Sequence, residues 1–411
     1  MPNSGRPQQK IRWLLTHTLI RLSYPFRISD SAGTPMQHKD LKLGSRDPRI
    51  DFFRGLALYM IFVDHVPGDP LGRVTYQHFG FSDAAEIFVF ISGLACGIAY
   101  SRVLARKGWS ALFSSIAKRA ARIYIYYALS SGAIILLAAA AAVFWQMDYE
   151  VLSGSLGSPQ QLPTMSSVLL VISPPPLTDI LVLYIVLTLI NVPAFLIAGE
   201  RLCVLALGIS ALIWVVSQVF SEFMAPLTNR WGGFNPFAWQ FLFSIGIFVG
   251  LKWDSRQPIL PSLAQHRWIL VAAWTIVISA FTYKLFLFIS SRLGFDVAWL
   301  RIGDMKANLS AIRILHFLSV AFLVAIYFRR DSALFESLIA MPVIKAGRHS
   351  LEVYSLTAVL CIAADIFVLV GTPSLRDRLI IDSIGFLSMA LLAIALEHGR
   401  RTRAPHSSRA L

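Results

Sequence analysis

Acidic residues are scarce in this chain. There are 23 Asp and Glu against 37 Lys and Arg in 411 residues, charged residues are only 15% of the total, and the net charge is +14. So few charges cannot cover a soluble surface. Cysteine is scarcer still: Cys96, Cys203 and Cys361 lie singly in apolar stretches with no CxxC pair or His/Cys cluster nearby. That argues against a disulfide framework and a zinc site, and no metal is expected. Repeats and low-complexity segments are lacking, which points to one main domain. Nor does the N-terminus read as a cleavable leader. Its apolar patch is short, is interrupted by Arg12 and Arg21, and lacks a small-residue cleavage site.

Long apolar runs are what the chain has in abundance. Hydrophobic residues make up 56%, with 28 Phe and 10 Trp, and the mean hydropathy is +0.62. These values define an all-α, polytopic integral membrane protein. About 20 apolar residues of helix cross a hydrocarbon core. On that criterion about ten spans are expected, near 49–66, 79–101, 121–146, 177–198, 202–221, 237–251, 268–290, 309–328, 350–371 and 379–396. The sixth is short, and the ninth could begin near residue 337. The segment 147–176, with Pro174-Pro175-Pro176, reads as loop whose middle, MSSVLLVIS, could dip back into the membrane.

Orientation follows from basic residues. The loop after the second span carries Arg102, Arg106, Lys107, Lys118, Arg119 and Arg122 without an acidic residue, and the C-terminus carries Arg400, Arg401, Arg403 and Arg409. Both termini are therefore expected in the cytoplasm, as basic tails over 1–45 and 399–411 flanking a membrane domain over 46–398. Basic residues placed between apolar runs mark topology and anionic lipid headgroups, so the lipid bilayer is an expected partner and nucleic acid is not.

Charged groups within such runs are costly and usually mark a site. Arg54 and His65 have ten residues between them in the first span. Eleven steps of 100° bring both to one helix face, about 16 Å apart along the axis. Asp51 lies one turn before Arg54, where it can pair with the guanidinium. A snorkelling Arg54 and an interfacial His65 are the plainer readings. Against them, His65 has Asp64 beside it and His78, Asp83 and Glu86 soon after, and histidine suits proton transfer near neutral pH. Asp64 and His65 point about 100° apart, so Asp64 could equally serve a neighbouring helix. Gly93 and Gly97 form a GxxxG spacing that reads as close helix packing.

The run RIDFFRGLALYMIFVDHVPGDPL followed by FGFSDAAEIFVFISG resembles the osmoregulated periplasmic glucan succinyltransferase family. That family lies within the transmembrane acyltransferases that modify cell-surface glycans. TDILVLYIVL, NPFAWQFLF, HFLSVAFL and GRHSLEVYSL extend the resemblance, in order, from residue 46 to about 396. Glu352 departs from it, standing where an apolar residue or proline is expected. The resemblance implies a ten-helix protein of the bacterial inner membrane that moves an acyl group from cytoplasmic acyl-CoA, with succinyl-CoA the expected donor, to a periplasmic glucan. His65 matches the motif histidine and Arg54 the donor-side arginine. Asp64 or Glu86 is the expected carboxylate partner of His65, which acts as base or is itself transiently acylated. Arg348 is a candidate for CoA phosphate. Asp83, Asp179, Tyr184, Asn235, Trp239, Gln240 and His316 are candidates for the acceptor side, with helix-start, belt and structural roles as their plainer alternatives. The oligomeric state stays open. The nearest rival is O-acetyl transfer by the same fold, and rivals of other classes are a proton-coupled transporter and an inert scaffold. Neither repeat symmetry nor paired broken helices favour the transporter.

Overall fold

In a computed structural model the fold is described for residues 46–147, 164–222, 233–253, 259–295, 306–371 and 373–403. The expected N-terminal tail, residues 1–45, lies outside the described residues. Among those described, secondary structure is helical and no strand occurs.

Helix α1, Pro48–Asp64, starts where Asp47 accepts the Arg49 N–H and Pro48 supplies a preset φ at the first turn. It stops at His65. Two 3₁₀ turns, Leu71–Val74 and Tyr76–His78, lead to α2, Ala84–Trp145. The Asp83 carboxylate accepts the Ala85 N–H while Glu86 returns to the Asp83 N–H, a capping box that nucleates α2. A straight 62-residue helix would run about 93 Å, three times a hydrocarbon core of about 30 Å. Gly108 breaks it with φ +75°, a conformation glycine adopts without a side-chain clash. The charge of Arg119, eleven residues past the break, reaches Cys96 and Tyr100 before it, so the two limbs lie side by side.

The five-residue helix α3, Met165–Leu169, precedes α4, Asp179–Val219, which breaks in the same way at Gly199. Then come α5, Pro236–Leu251; α6, Ile259–Ala264; α7, Arg267–Arg292; α8, Ala311–Tyr327; α9, Ala340–Arg348; α10, Ser350–Val370; and α11, Leu375–Arg403. Among the described residues, five helices are long and apolar enough to cross a membrane: α2, α4, α7, α10 and the Leu375–Arg400 part of α11. The broken α2 and α4 each contain two of the ten expected spans. The sixth and eighth appear as short apolar helices, α5 and α8. At the ninth, His349 separates α9 from α10. The last helix runs on to Arg403, through residues expected to belong to the tail.

Helices approach closely where glycine permits. A Cβ on Gly93 or Gly97 would fall 2.2 or 2.5 Å from the carbonyl oxygen of Phe243 or Ile247. One on Gly246 or Gly250 would fall 2.4 Å from that of Phe90 or Leu94. Two GxxxG faces thus interlock α2 with α5, as the spacing of the first one predicts. Gly55 and Gly347 do the same for α1 and α9. The MSSVLLVIS segment lies against α2, where the Tyr127 and Tyr124 hydroxyls donate to the Val168 and Leu169 carbonyls. Eighteen residues of α2, about 27 Å of helix, follow Tyr127 before Trp145. The chain therefore returns deep alongside the helix it has just left, as a re-entrant segment does.

Polarity is arranged inside out. Leu136, Ile190, Val204, Val271, Phe288 and Leu387 are exposed, while Asp51, Arg54, Glu86, Arg313 and His316 are buried. Apolar outer faces around a charged interior suit lipid on the outside and a polar site within.

Candidate functional site

His65 caps the end of α1, with its Nδ1 2.7 Å from the Ile61 carbonyl. A carbonyl only accepts, so this contact puts the proton on Nδ1. The lone pair of the neutral ring is then on Nε2. The orienting partner of His65 is thus its own helix backbone. Asp64 turns elsewhere: its Oδ1 accepts the Thr75 hydroxyl, which is shared with the Gly72 carbonyl.

Glu86 is wholly buried. One oxygen closes the capping box, and the other lies 2.6 Å from Arg313 Nε. Arg313 also reaches Asp83 at 2.9 Å, and Lys306 Nζ meets the same Asp83 oxygen at 3.0 Å. Two cations and two carboxylates therefore interlock at the start of α2. Burial works against both charges of the Asp83–Lys306 pair, yet Lys306 and Arg313 hold the Asp83 carboxyl well below the usual range. Asp83 and Glu86 likewise raise Lys306 above its own. The charges of Lys306 and Asp83 both reach His65, and Lys306 also bears on Asp179. Asp179 is fixed by the Gly233 N–H at 3.0 Å.

His316 is buried beside this cluster. Its Nδ1 lies 2.7 Å from the Ser82 hydroxyl, and its ring stacks on Tyr76. The ring fills the space where Gly80 has no side chain, since a Cβ there would fall 2.1 Å from Nε2. It buttresses the turn leading to Asp83.

At the other pole Arg54 is buried, not snorkelling, and its guanidinium donates to the Ile91 carbonyl at 3.0 Å. The charges of Arg54 and Arg119 both reach Cys96 and Tyr184. Tyr184, expected on the acceptor side, thus keeps company with the arginine pole. Arg348 lies 3.5 Å from Asp51 and 3.1 Å from Glu397, with His349 also on Glu397 at 3.2 Å. Glu352, the residue that departs from the expected pattern, pairs with Arg122.

The remaining candidates serve the framework. Gln240 accepts from Ser210 and Asn191 and donates to the Ser210 and Phe237 carbonyls. Asn235 caps α5 and bonds Asn308, and the buried Trp239 donates to the carbonyls of Lys306 and Ala307. Lys306 and Arg119 were not singled out from sequence, where they count only as loop and topology charges. Nor was the Asp83-x-x-Glu86 spacing taken for the capping box it forms.

Helices with apolar outer faces around buried charged residues define a membrane protein, with Arg54 and His65 toward opposite ends of α1. The chain belongs to the OpgC family: the family model described as OpgC protein matches residues 46–401. No curated protein and no solved structure matches the chain. Membership makes it a glucan-modifying acyltransferase in general.

Proposed function

We propose that this protein is a multi-pass O-acyltransferase of the bacterial inner membrane that takes a succinyl group from cytoplasmic acyl-CoA and delivers it to a hydroxyl of a periplasmic glucan. The observation that carries the reading is the pair of poles on α1. Arg54, buried beside Arg119, faces one end of the polar interior. His65, with its basic nitrogen directed by the Ile61 carbonyl, sits at the other. In this reading ten crossings put both termini in the cytoplasm and His65 toward the periplasm.

The arginine pole binds the phosphates of CoA, and the rise of about 16 Å along α1 matches the reach of an extended pantetheine arm. His65 Nε2 takes the proton of the sugar hydroxyl as its oxygen attacks the acyl carbonyl carbon. The carbonyl electrons move onto oxygen, and collapse of the tetrahedral species expels the CoA thiolate, which recovers the proton from the imidazolium. The Asp83 charge favours the imidazolium through space, against that of Lys306. Arg348, already engaged by Asp51 and Glu397, anchors α9 to α1 and α11 at the donor end.

Thiol release by purified protein, wild type and His65→Ala, tests this with succinyl-CoA and acetyl-CoA offered beside a periplasmic glucan. Release that requires the glucan and vanishes in the variant is expected, with succinyl-CoA preferred. Preference for acetyl-CoA would replace the donor, and no release from folded protein would move the assignment to transport.

A further inference from the structure

Between α8 and α9 the chain turns back onto the start of α1. Arg49 donates to the Ala325 and Phe328 carbonyls at 3.4 and 3.2 Å. Phe328 meets Phe53 edge-on at 5.4 Å, and Phe335, in the 3₁₀ turn Ala333–Glu336, meets Phe52 at 5.5 Å. Phe335, Ala340 and Ile344 are buried together beside Phe52 and Phe328. Ser337 closes the entry to α9. Its hydroxyl donates to the Leu334 carbonyl at 2.7 Å and accepts the Ala340 N–H at 3.2 Å, and its carbonyl accepts the Met341 N–H at 3.2 Å.

That small core leaves a second set of apolar side chains outside it. Leu338 and Ile339, within the closed turn, are 84% and 85% exposed, and no other large apolar residue among those described is as exposed. Leu334 and Met341 flank them and are exposed too. A loose loop does not explain this, because the turn is hydrogen-bonded and the neighbouring Phe335 and Ala340 are buried. A fixed turn that holds four large apolar residues outward makes a patch that water disfavours.

The position of the patch indicates its cover. Helix α8 is apolar and ends at the exposed Tyr327, and Arg329 and Arg330, both exposed, follow. An aromatic residue and then arginines mark the level of lipid headgroups. The ring contacts with Phe52 and Phe53 hold the turn beside the first residues of α1. Helix α9 has nine residues, about 13 Å of helix, which is too short to cross. An apolar face beside basic residues at that level suits a segment lying in the boundary between headgroups and acyl chains.

We propose that the turn over residues 334–341 is a membrane-surface anchor. Leu338 and Ile339, with Leu334 and Met341, insert among the upper acyl chains of the leaflet at the N-terminal end of α1, and Arg329 and Arg330 meet its anionic headgroups. Such an anchor needs only the membrane class of the protein, not acyl transfer. At the far end of α9, Gly347 packs on Gly55 and Arg348 lies 3.5 Å from Asp51. The anchor thereby steadies α9 against the Arg54 end of α1.

The test places a polarity-sensitive fluorophore on one introduced cysteine, Leu338→Cys or Ile339→Cys, in the full-length protein. The labelled protein is held singly in nanodiscs of neutral and anionic phospholipid. Cys96, Cys203 and Cys361 are buried and stay unlabelled, and Asp331→Cys, at an exposed position, gives the aqueous reference. At 338 and 339 the emission is expected at shorter wavelength than at 331, with several-fold weaker quenching by iodide. A nitroxide on the lipid just below the headgroup should quench more than one at the chain end. Emission and iodide quenching equal to those at 331 overturn the proposal. Protection from iodide without quenching by either nitroxide also overturns it, because other residues of the chain then cover the turn. Stronger quenching from the chain end overturns it too, by placing the turn in a crossing segment.

Discussion

At the residue scale, the site is a set of charges whose partners decide their work. His65 has its proton placed by a backbone carbonyl, and in the proposed reading it acts as a base without a dedicated carboxylate. His65→Ala is expected to lower turnover by about 10²–10⁴-fold, the usual worth of a general base, while the purified variant keeps its elution profile and helical content. Arg313 has a different task. Replacing it by methionine leaves Asp83 with Lys306 alone and Glu86 buried without its guanidinium partner. Unfolding in detergent should show a loss of about 3–5 kcal/mol, the scale for breaking a buried ion pair from one side.

The Asp83–Lys306 pair also carries a pH prediction. A depressed Asp83 contributes stability above the ordinary Asp pKa of about 3.9 and loses it as pH falls through its folded value. A raised Lys306 contributes below the ordinary lysine pKa of about 10.4 and loses it as pH rises through its folded value. Neutral pH lies between the two windows. Asp83→Asn should therefore lower the unfolding midpoint at both pH 6 and pH 8, and an unaltered midpoint at both would show that the pair contributes no stability.

At the element scale, glycine and caps do what long apolar runs cannot. Gly108 and Gly199 divide helices that hydrophobicity alone would continue, and the interlocked glycines bring α2 and α5 to backbone contact. Gly246→Val puts carbon where the Phe90 carbonyl lies, and carbonyls do not yield as flexible side-chain ends do. Folded yield should collapse. Gly132→Val on α2 has open space around its Cβ and should express normally, so comparing the two yields by size exclusion separates crossing geometry from helix propensity.

At the scale of the whole molecule, an apolar exterior surrounds buried charged residues near both ends of α1. In the ten-crossing reading, Lys107, at the turn between the two limbs of α2, and Trp145, at the end of its C-terminal limb, lie on opposite sides of the membrane. The native Cys96, Cys203 and Cys361 are buried, so they should resist a membrane-impermeant thiol reagent. Lys107→Cys is expected to label only from the cytoplasmic side and Trp145→Cys only from the periplasmic side. Labelling of both from one side would remove a crossing between them.

By itself the sequence determined the helical membrane class, the GxxxG packing and the Arg54–His65 spacing, because hydropathy, small-residue spacing and the 100° helical step are local properties. It also marked most of the polar residues that matter. Only the tertiary structure decided their partners. Asp83 and Glu86 read locally as two expensive acids and became a capping box locked by Arg313, a residue more than two hundred positions away. Asn235 and Trp239 read as sugar contacts, and in the structure both bond the turn that carries Lys306. A charge acquires its role from what surrounds it, and in this chain those surroundings come from helices distant in sequence.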